Sequence, residues 1–221
     1  MTNKTVPSDK NELALLSSPK FKHFSRASNP DEIVDSLSDL KHRVFPRPFE
    51  RLSRIYQQKN LIGVEIGVCG GEHALSLLEN LSIKRLYLID PYAMYEDYSE
   101  GKKHYGVDQL PLDQAEILAR ELLRQHQDRI VWIKKLSADA VKDISEQVDF
   151  VYIDGNHAES YVNEDIKNYF PLLKKGGVIG GHDFYNGFRR EHDGVINAVV
   201  KFIANTKLQL QVELPDWWIE T

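Results

Sequence analysis

From residue 60 onward, short apolar runs alternate with amphipathic stretches, and that alternation leaves the chain few possible folds. The runs are LIGVEIG (61–67), RLYLID (85–90), RIVWIK (129–134), VDFVYID (148–154) and GGVIGG (176–181). Such runs suit strands buried on both faces of a parallel sheet. Between them EHALSLLENL (72–81), LDQAEILARELLRQHQ (112–127), SYVNEDIKNYFPLLKK (160–175) and GVINAVVKFIAN (194–205) carry the helical period. Strand and helix in alternation predict a parallel sheet with helices on both faces. LQLQVEL (208–214) alternates strictly, and DWWIE (216–220) can pair with it across Pro215. The expected class is α/β, doubly wound, with a mostly parallel seven-stranded sheet and an antiparallel C-terminal edge hairpin.

Ahead of residue 60 the character differs. Residues 1–30 are polar and aperiodic, while DEIVDSLSDL (31–40) places Ile33, Val34, Leu37 and Leu40 on one helical face. Pro46 and Pro48 interrupt the pattern, and FERLSRIYQQ (49–58) resumes it. Two units are expected: an N-terminal helical arm or lid over 1–59, and a ligand-binding domain over 60–221. The segment PYAMYEDYSEGKKHYG (91–106) fits neither period and carries Tyr92, Tyr95, Tyr98 and Tyr105. A connection of that length is either a binding loop or a surface excursion whose tyrosines pack.

Composition narrows the function classes. Over 221 residues the chain is 42% hydrophobic and 28% charged, the balance of a soluble domain with a full core. No run approaches the roughly 18 to 20 apolar residues of a membrane span, and the N-terminus lacks the apolar segment of a secretory leader. Cys69 is the only cysteine, which excludes an intramolecular disulfide and a cysteine-built zinc site. The expected setting is cytoplasmic, without a membrane partner. Net charge is −5 with no block of lysine and arginine, which argues against a nucleic-acid partner. Paired N-terminal helices would suit a homodimer.

In a doubly wound sheet, ligands bind beyond the carboxyl ends of the strands, where strand order reverses. Here the first strand ends in Glu65-Ile66-Gly67-Val68-Cys69-Gly70-Gly71. Glycines let backbone approach a ligand closely, and the helix that follows offers free N–H groups to an anion. Asp90 ends the second strand, where a carboxylate can accept hydrogen bonds from both ribose hydroxyls of a nucleoside cofactor. That arrangement serves a nicotinamide dinucleotide and S-adenosylmethionine alike. The dinucleotide fingerprint Gly-x-Gly-x-x-Gly is broken, because Cys69 stands at its second glycine.

Taken together, VEIGVCGG, LYLIDPY, VDFVYIDGNHAESYVNEDIKNYFPLLKKGGVIGGHDF and GVINAVVKF resemble the class I, Rossmann-like, S-adenosylmethionine-dependent methyltransferases. They are similar to the branch with Asp-Gly-x-His after the fourth strand and His-Asp after the fifth. The resemblance implies S-adenosylmethionine as cofactor, and makes 60–221 the domain that binds it. It also implies that Glu65 and the turn of Gly67, Gly70 and Gly71 meet the methionine moiety, and that Asp90 takes the ribose. Ser137 and Ala138 would then stand near adenine, with Asp139 either assisting or starting the next helix.

Asp154 ends the fourth strand, His157 follows three residues later, and His182 and Asp183 end the fifth. Adjacent strands would bring them to one sheet edge. Methylation of a hydroxyl needs its proton removed, by a general base or through a divalent ion that binds the oxygen. Carboxylates suit Mg²⁺ or Mn²⁺. In metal-dependent O-methyltransferases of this fold, the resemblance puts the ligands at Asp154, His182 and Asp183. His182 is a departure, since oxygen is commoner there, and it tilts the ion towards Mn²⁺, Fe²⁺ or Zn²⁺. The metal-free alternative uses His157 or His182 as the base.

Plainer readings make Asp154 a helix cap and His182 a buried, carbonyl-bonded histidine. Trp217 and Trp218 are expected to pack, Arg189 and Arg190 to be solvated, and Asp193 near His192 to cap the last helix. The expected activity is methyl transfer to a small hydroxylated acceptor, such as a sugar or natural product, with Asp154, His157 and His182 catalytic. A nicotinamide-dependent oxidoreductase and a non-catalytic binding protein are the competing classes.

Overall fold

The structure is a computed structural model that describes residues 46–94, 109–184 and 193–221, apart from the side chains of 109–111 and 193. The helix expected over 31–40, Tyr95, Tyr98, Tyr105, Arg189, Arg190, His192 and the cap expected of Asp193 lie outside the described residues and side chains. The first element is the helix α1 (Pro48–Leu52), and β1 (Leu61–Ile66), α2 (Glu72–Asn80) and β2 (Ile83–Ile89) follow it. Next come α3 (Gln109–Leu122), β3 (Ile130–Ile133), α4 (Ser137–Ala140), β4 (Val148–Ile153), α5 (Glu159–Tyr169) and β5 (Leu173–Gly181). The last are α6 (Asp193–Ala204), β6 (Leu210–Glu213) and β7 (Asp216–Glu220).

The seven strands lie in the order β3-β2-β1-β4-β5-β7-β6. β1 to β5 are parallel, and β7 runs antiparallel to both β5 and β6. This is the expected doubly wound sheet with its antiparallel edge hairpin. The chain steps outward from β1 to β3 and then returns to lay β4 beside β1. The strand order therefore reverses between β1 and β4, and their carboxyl ends flank the crevice.

Period-two alternation divides the core between the two faces. Phe150 and Tyr152 point to the side covered by α1, α2 and α3, with Phe49, Leu75 and Leu118. Val151 and Ile153 point to the side covered by α4, α5 and α6, with Ala140, Ile166 and Val199. Trp217 and Trp218 fall on opposite faces and both are buried, so they pack as expected.

Several element ends move for local reasons. The helix expected to run to residue 175 stops at Tyr169, because Pro171 cannot donate a backbone hydrogen bond. Phe170–Leu172 forms a single 3-10 turn, and Leu173 already belongs to β5. The helix expected over 49–58 divides into α1 and a 3-10 turn, Arg54–Gln57. This segment, which the sequence pattern assigns to the arm, is docked on the sheet. Phe49 is fully buried against Phe150 and Tyr152, and its N–H donates to Asp216 Oδ2 at 3.0 Å.

Asp165 of α5 is 2% exposed, and its Oδ1 has no partner among the described residues. Burial pushes its carboxyl up to about 7, against a partial lowering by the Ser137 hydroxyl. The unfolded value is about 3.9, so the protonated form's stabilisation is complete below that pH and is lost as pH rises through 7. Asp165→Asn, close in shape to the neutral acid, is therefore expected to exceed wild-type stability by up to about 4 kcal/mol at pH 8. At pH 4.5 the gain shrinks to about 1 kcal/mol. Urea melts at the two pH values check this, and a gain independent of pH contradicts it.

Candidate active site

Beyond Ile66 the chain turns sharply. Gly67 has a φ of 85°, and a Cβ there would stand 2.1 Å from the carbonyl oxygen of Asp154. Only glycine lets the ends of β1 and β4 lie this close. The Asp154 N–H donates to Ile66 O at 2.7 Å, and the Gly67 N–H donates to Ile89 O at 2.9 Å. Gly70 is buried and Gly71 leads directly into α2.

Asp90 organises this turn. Its Oδ2 accepts the N–H groups of Val68 and Cys69, each at 3.0 Å, and its Oδ1 accepts that of Tyr92 at 2.9 Å. Burial raises the carboxyl, and the three N–H donors lower it in part. Oδ2 thus has both lone pairs engaged, while Oδ1 keeps a second one for a ligand hydroxyl. Tyr92 is buried and donates its hydroxyl to Cys69 O at 2.9 Å, so this tyrosine closes the turn. Cys69, Tyr92 and Asp183 all have positive φ, at the ends of β1, β2 and β5. Such strain clusters at binding sites, where the surroundings hold it in place.

Glu65 lies inside β1 and is 1% exposed. Its Oε1 is 3.0 Å from His73 Nδ1, while Oε2 has no hydrogen-bond partner among the described residues. Burial drives this carboxyl well above its usual range. A cationic ligand group beside Oε2 would satisfy it. Ser137 and Ala138 open α4 directly after β3, both half-buried. The Ser137 carbonyl accepts the Tyr169 hydroxyl at 2.7 Å. Asp139 is exposed and pairs with Lys142 at 2.8 Å, so it starts the helix.

Across the crevice, β4 and β5 end in an acid and imidazole cluster. One potential ligand atom from each of Asp154, His182 and Asp183 lies within 4.8 Å of the other two. His182 Nδ1 is 3.3 Å from Asp183 Oδ1 and 3.8 Å from Asp154 Oδ1. His157 Nε2 bonds Asp183 Oδ2 at 2.9 Å and stands 3.9 Å from Asp154 Oδ1. Asp154 is no helix cap: the cap position of α5 is Ala158, whose N–H donates to Asn156 Oδ1.

Mutual attraction sets the charges. Burial works to raise Asp183, but His157 and His182 hold it well below the carboxylate range. Asp154 is likewise lowered, by His182, His157 and Arg47 against the effect of burial. Burial opposes protonation of His157, yet Asp154 and Asp183 raise it to about 10. His182 is raised as well, against burial and Arg47.

The sequence pattern missed several members of the site. Arg47 Nη1 donates to Asp154 Oδ2 at 3.0 Å and to the Tyr152 hydroxyl at 2.8 Å. Tyr152 in turn donates to Asp216 Oδ1 at 3.0 Å. Glu50 and His73 complete a buried polar group beside Glu65. One signal was available: His73 shares a helical face with Leu77, so an ionisable group sits on a buried stripe. Nothing local marks Arg47, which lies 107 positions from its partner Asp154.

The family and the fold have counterparts elsewhere. A sequence profile described as a methyltransferase domain matches residues 64–184, more than half of the chain. An uncharacterised protein of Acanthamoeba polyphaga mimivirus is 25% identical over 178 residues, covering 75% of this chain and 73% of that protein. Among solved structures, MycE methyltransferase from the mycinamycin biosynthetic pathway, in complex with Mg and S-adenosylhomocysteine, superposes with a TM-score of 0.54 at 18% identity. That match covers 84% of this chain and 54% of MycE, so the chain spans about half of that protein. A candidate caffeoyl-CoA O-methyltransferase from Staphylococcus aureus superposes with a TM-score of 0.57 at 14% identity, covering 96% of this chain and all of that one (100%). At these identities the two structures share a fold with this chain. Among the described residues, no helix is long and apolar enough to cross a membrane.

Proposed function

The chain belongs to the methyltransferase-domain family, and from that premise we propose that it transfers a methyl group from S-adenosylmethionine to a hydroxyl of a small acceptor. The observation that carries the reading is the gathering of Asp154, His182 and Asp183 beside the Gly67 turn, at the reversal of strand order. The donor side fits the residues present. Glu65 Oε2, buried and without a hydrogen-bond partner among the described residues, suits the ammonium of the methionine moiety. Gly67, Gly70 and Gly71 form the turn that would face it, Asp90 Oδ1 keeps a lone pair for a ribose hydroxyl, and Ser137 and Ala138 would face adenine. Cys69 in place of a second glycine disfavours a pyrophosphate, and with it the oxidoreductase reading.

A divalent cation fits the facing cluster. Its ligand bonds are about 2.1 Å for Mg²⁺, and three donor atoms within 4.8 Å of one another can share one ion. Asp154, His182 and Asp183 would hold it, with His182 favouring Mn²⁺ over Mg²⁺. Such an ion would lower the pKa of the acceptor hydroxyl. In the transfer, the acceptor oxygen forms a bond to the methyl carbon, the carbon–sulfur bond breaks with its electron pair going to sulfur, and the hydroxyl proton passes to solvent water. His157, held protonated by Asp154 and Asp183, donates a hydrogen bond at neutral pH rather than taking that proton.

Exhaustive chelation tests the metal part of the reading. Formation of S-adenosylhomocysteine from S-adenosylmethionine, with a panel of phenols and sugars as acceptors, is expected to fall by about 100-fold or more. Added Mn²⁺ or Mg²⁺ should restore it. Undiminished turnover would instead establish metal-free chemistry with a histidine base. Stabilisation of the chain by NAD(H), with none by S-adenosylhomocysteine, would refute the donor itself.

A further inference from the structure

Between β1 and α2 the core holds a buried polar group in which only Glu65 has a role in the proposed reaction. Glu50, Glu65 and His73 meet there, at 0%, 1% and 7% exposure. His73 Nδ1 lies 3.0 Å from Glu65 Oε1. On the ring's other side, Nε2 is 3.1 Å from Glu50 Oε1, close in distance although not aligned as a hydrogen bond. Glu50 Oε2 accepts the Ser76 hydroxyl at 2.9 Å and the Arg47 N–H at 3.1 Å. The His73 ring packs on Tyr152, with centroids 4.0 Å apart. The imidazole is therefore held by α1, β1 and β4 together.

Burying three ionisable groups for packing alone would be costly, since apolar side chains fill such space without polar atoms to satisfy. The proton states of the three are complementary. Burial lowers His73 and leaves a neutral ring with one N–H. Burial favours the neutral Glu65 acid, but a cationic ligand group at Oε2 would hold it ionised; Glu65 then only accepts, the N–H belongs on Nδ1, and Nε2 is left as an acceptor. Burial pushes Glu50 up to about 8, so it can present a proton towards Nε2. A glutamate side chain otherwise samples many rotamers. Holding one oxygen removes much of that freedom and leaves the other in a single direction.

We propose that His73 is a positioning residue for the methyl donor: its Nδ1–H fixes Glu65 Oε1 and so aims Oε2 at the donor's ammonium group. This rests on the reading of Glu65 as a contact for the methionine moiety. α1 enters the same arrangement, because Glu50 backs the ring that sets Glu65. The device works as outer hydrogen-bond partners do at metal sites, where their removal costs roughly 10- to 100-fold in affinity.

The test measures S-adenosylhomocysteine binding to the full chain by calorimetry, with urea melts alongside. His73→Asn keeps an amide N–H near the place of Nδ1, whereas His73→Gln puts its amide nearer that of Nε2. His73→Asn is expected to bind within about threefold of wild type, and His73→Gln and His73→Leu about 10-fold or more weakly. A merely structural role predicts no such ordering among variants of equal stability. Should His73→Leu fail to fold, the Asn and Gln pair still decides. Equal affinity for those two, or wild-type binding by folded His73→Leu, overturns the proposal while the donor reading stands. Wild-type binding by Glu65→Gln overturns the Glu65 contact and the His73 role together. No binding by the unaltered chain overturns the donor reading from which both follow.

Discussion

Asp154→Asn is expected to lower methyl transfer by about 10²- to 10⁴-fold with the fold retained. The carboxylate stands at the end of β4, where it meets Arg47 at 3.0 Å and the rings of His182 and His157 at 3.8 and 3.9 Å. An amide keeps the shape and still accepts from Arg47, but it removes the negative charge that gathers three cations. It also takes away the one β4 donor among the three groups suited to a divalent ion. Mn²⁺ binding, followed by paramagnetic resonance, should weaken about 100-fold in the same variant. Asp183→Asn is the companion, since His157 and His182 both bond that carboxylate. Near wild-type turnover in Asp154→Asn would remove Asp154 from the chemistry and leave the β5 pair to account for it.

The second large effect is expected at Gly67. In Gly67→Ala the added methyl would lie 2.1 Å from Asp154 O and 2.5 Å from its carbonyl carbon, both backbone atoms without freedom to withdraw. The residue must also hold a φ of 85°, which costs about 1–2 kcal/mol for an L side chain. Parting the ends of β1 and β4 breaks the bond from the Asp154 N–H to Ile66 O and moves Asp154 itself. The variant is expected to lose about 3 kcal/mol or more, a fall of roughly 6–12 °C in Tm for a chain of this size. Binding of S-adenosylhomocysteine should drop with it. Gly176→Ala is the control: its φ is 83°, yet nothing lies within 4 Å of the added carbon. It should cost about 1 kcal/mol and leave binding unchanged. Equal losses at the two positions would show that backbone strain, rather than the close approach of the strands, governs Gly67.

The two predictions differ in how much of their basis is local. Gly67 and Asp154 both follow apolar runs, and a residue after a parallel strand stands at the carboxyl edge wherever that strand lies in the sheet. Their direct contact depends on β4 lying next to β1, a pairing between segments more than 80 residues apart. Asp90 shows the same division. Its place at the end of β2 was readable, but its use of both oxygens to tie down Val68, Cys69 and Tyr92 was not. Tyr92 stood in an aperiodic, tyrosine-rich stretch, and only the fold shows that it closes the turn.

By itself the sequence determined the alternation of strands and helices, the antiparallel closing pair, and the presence of Gly67, Asp90, Asp154, His182 and Asp183 at strand ends. These are matters of local period and of crossover geometry, which a window of some ten residues contains. Tertiary structure alone decided that Arg47 reaches Asp154, that Tyr152 and Asp216 stand behind it, and that His73 lies between Glu50 and Glu65. Those contacts join positions up to 107 apart. Each draws its energy from burial and charge at one point in space, which no short stretch of chain specifies.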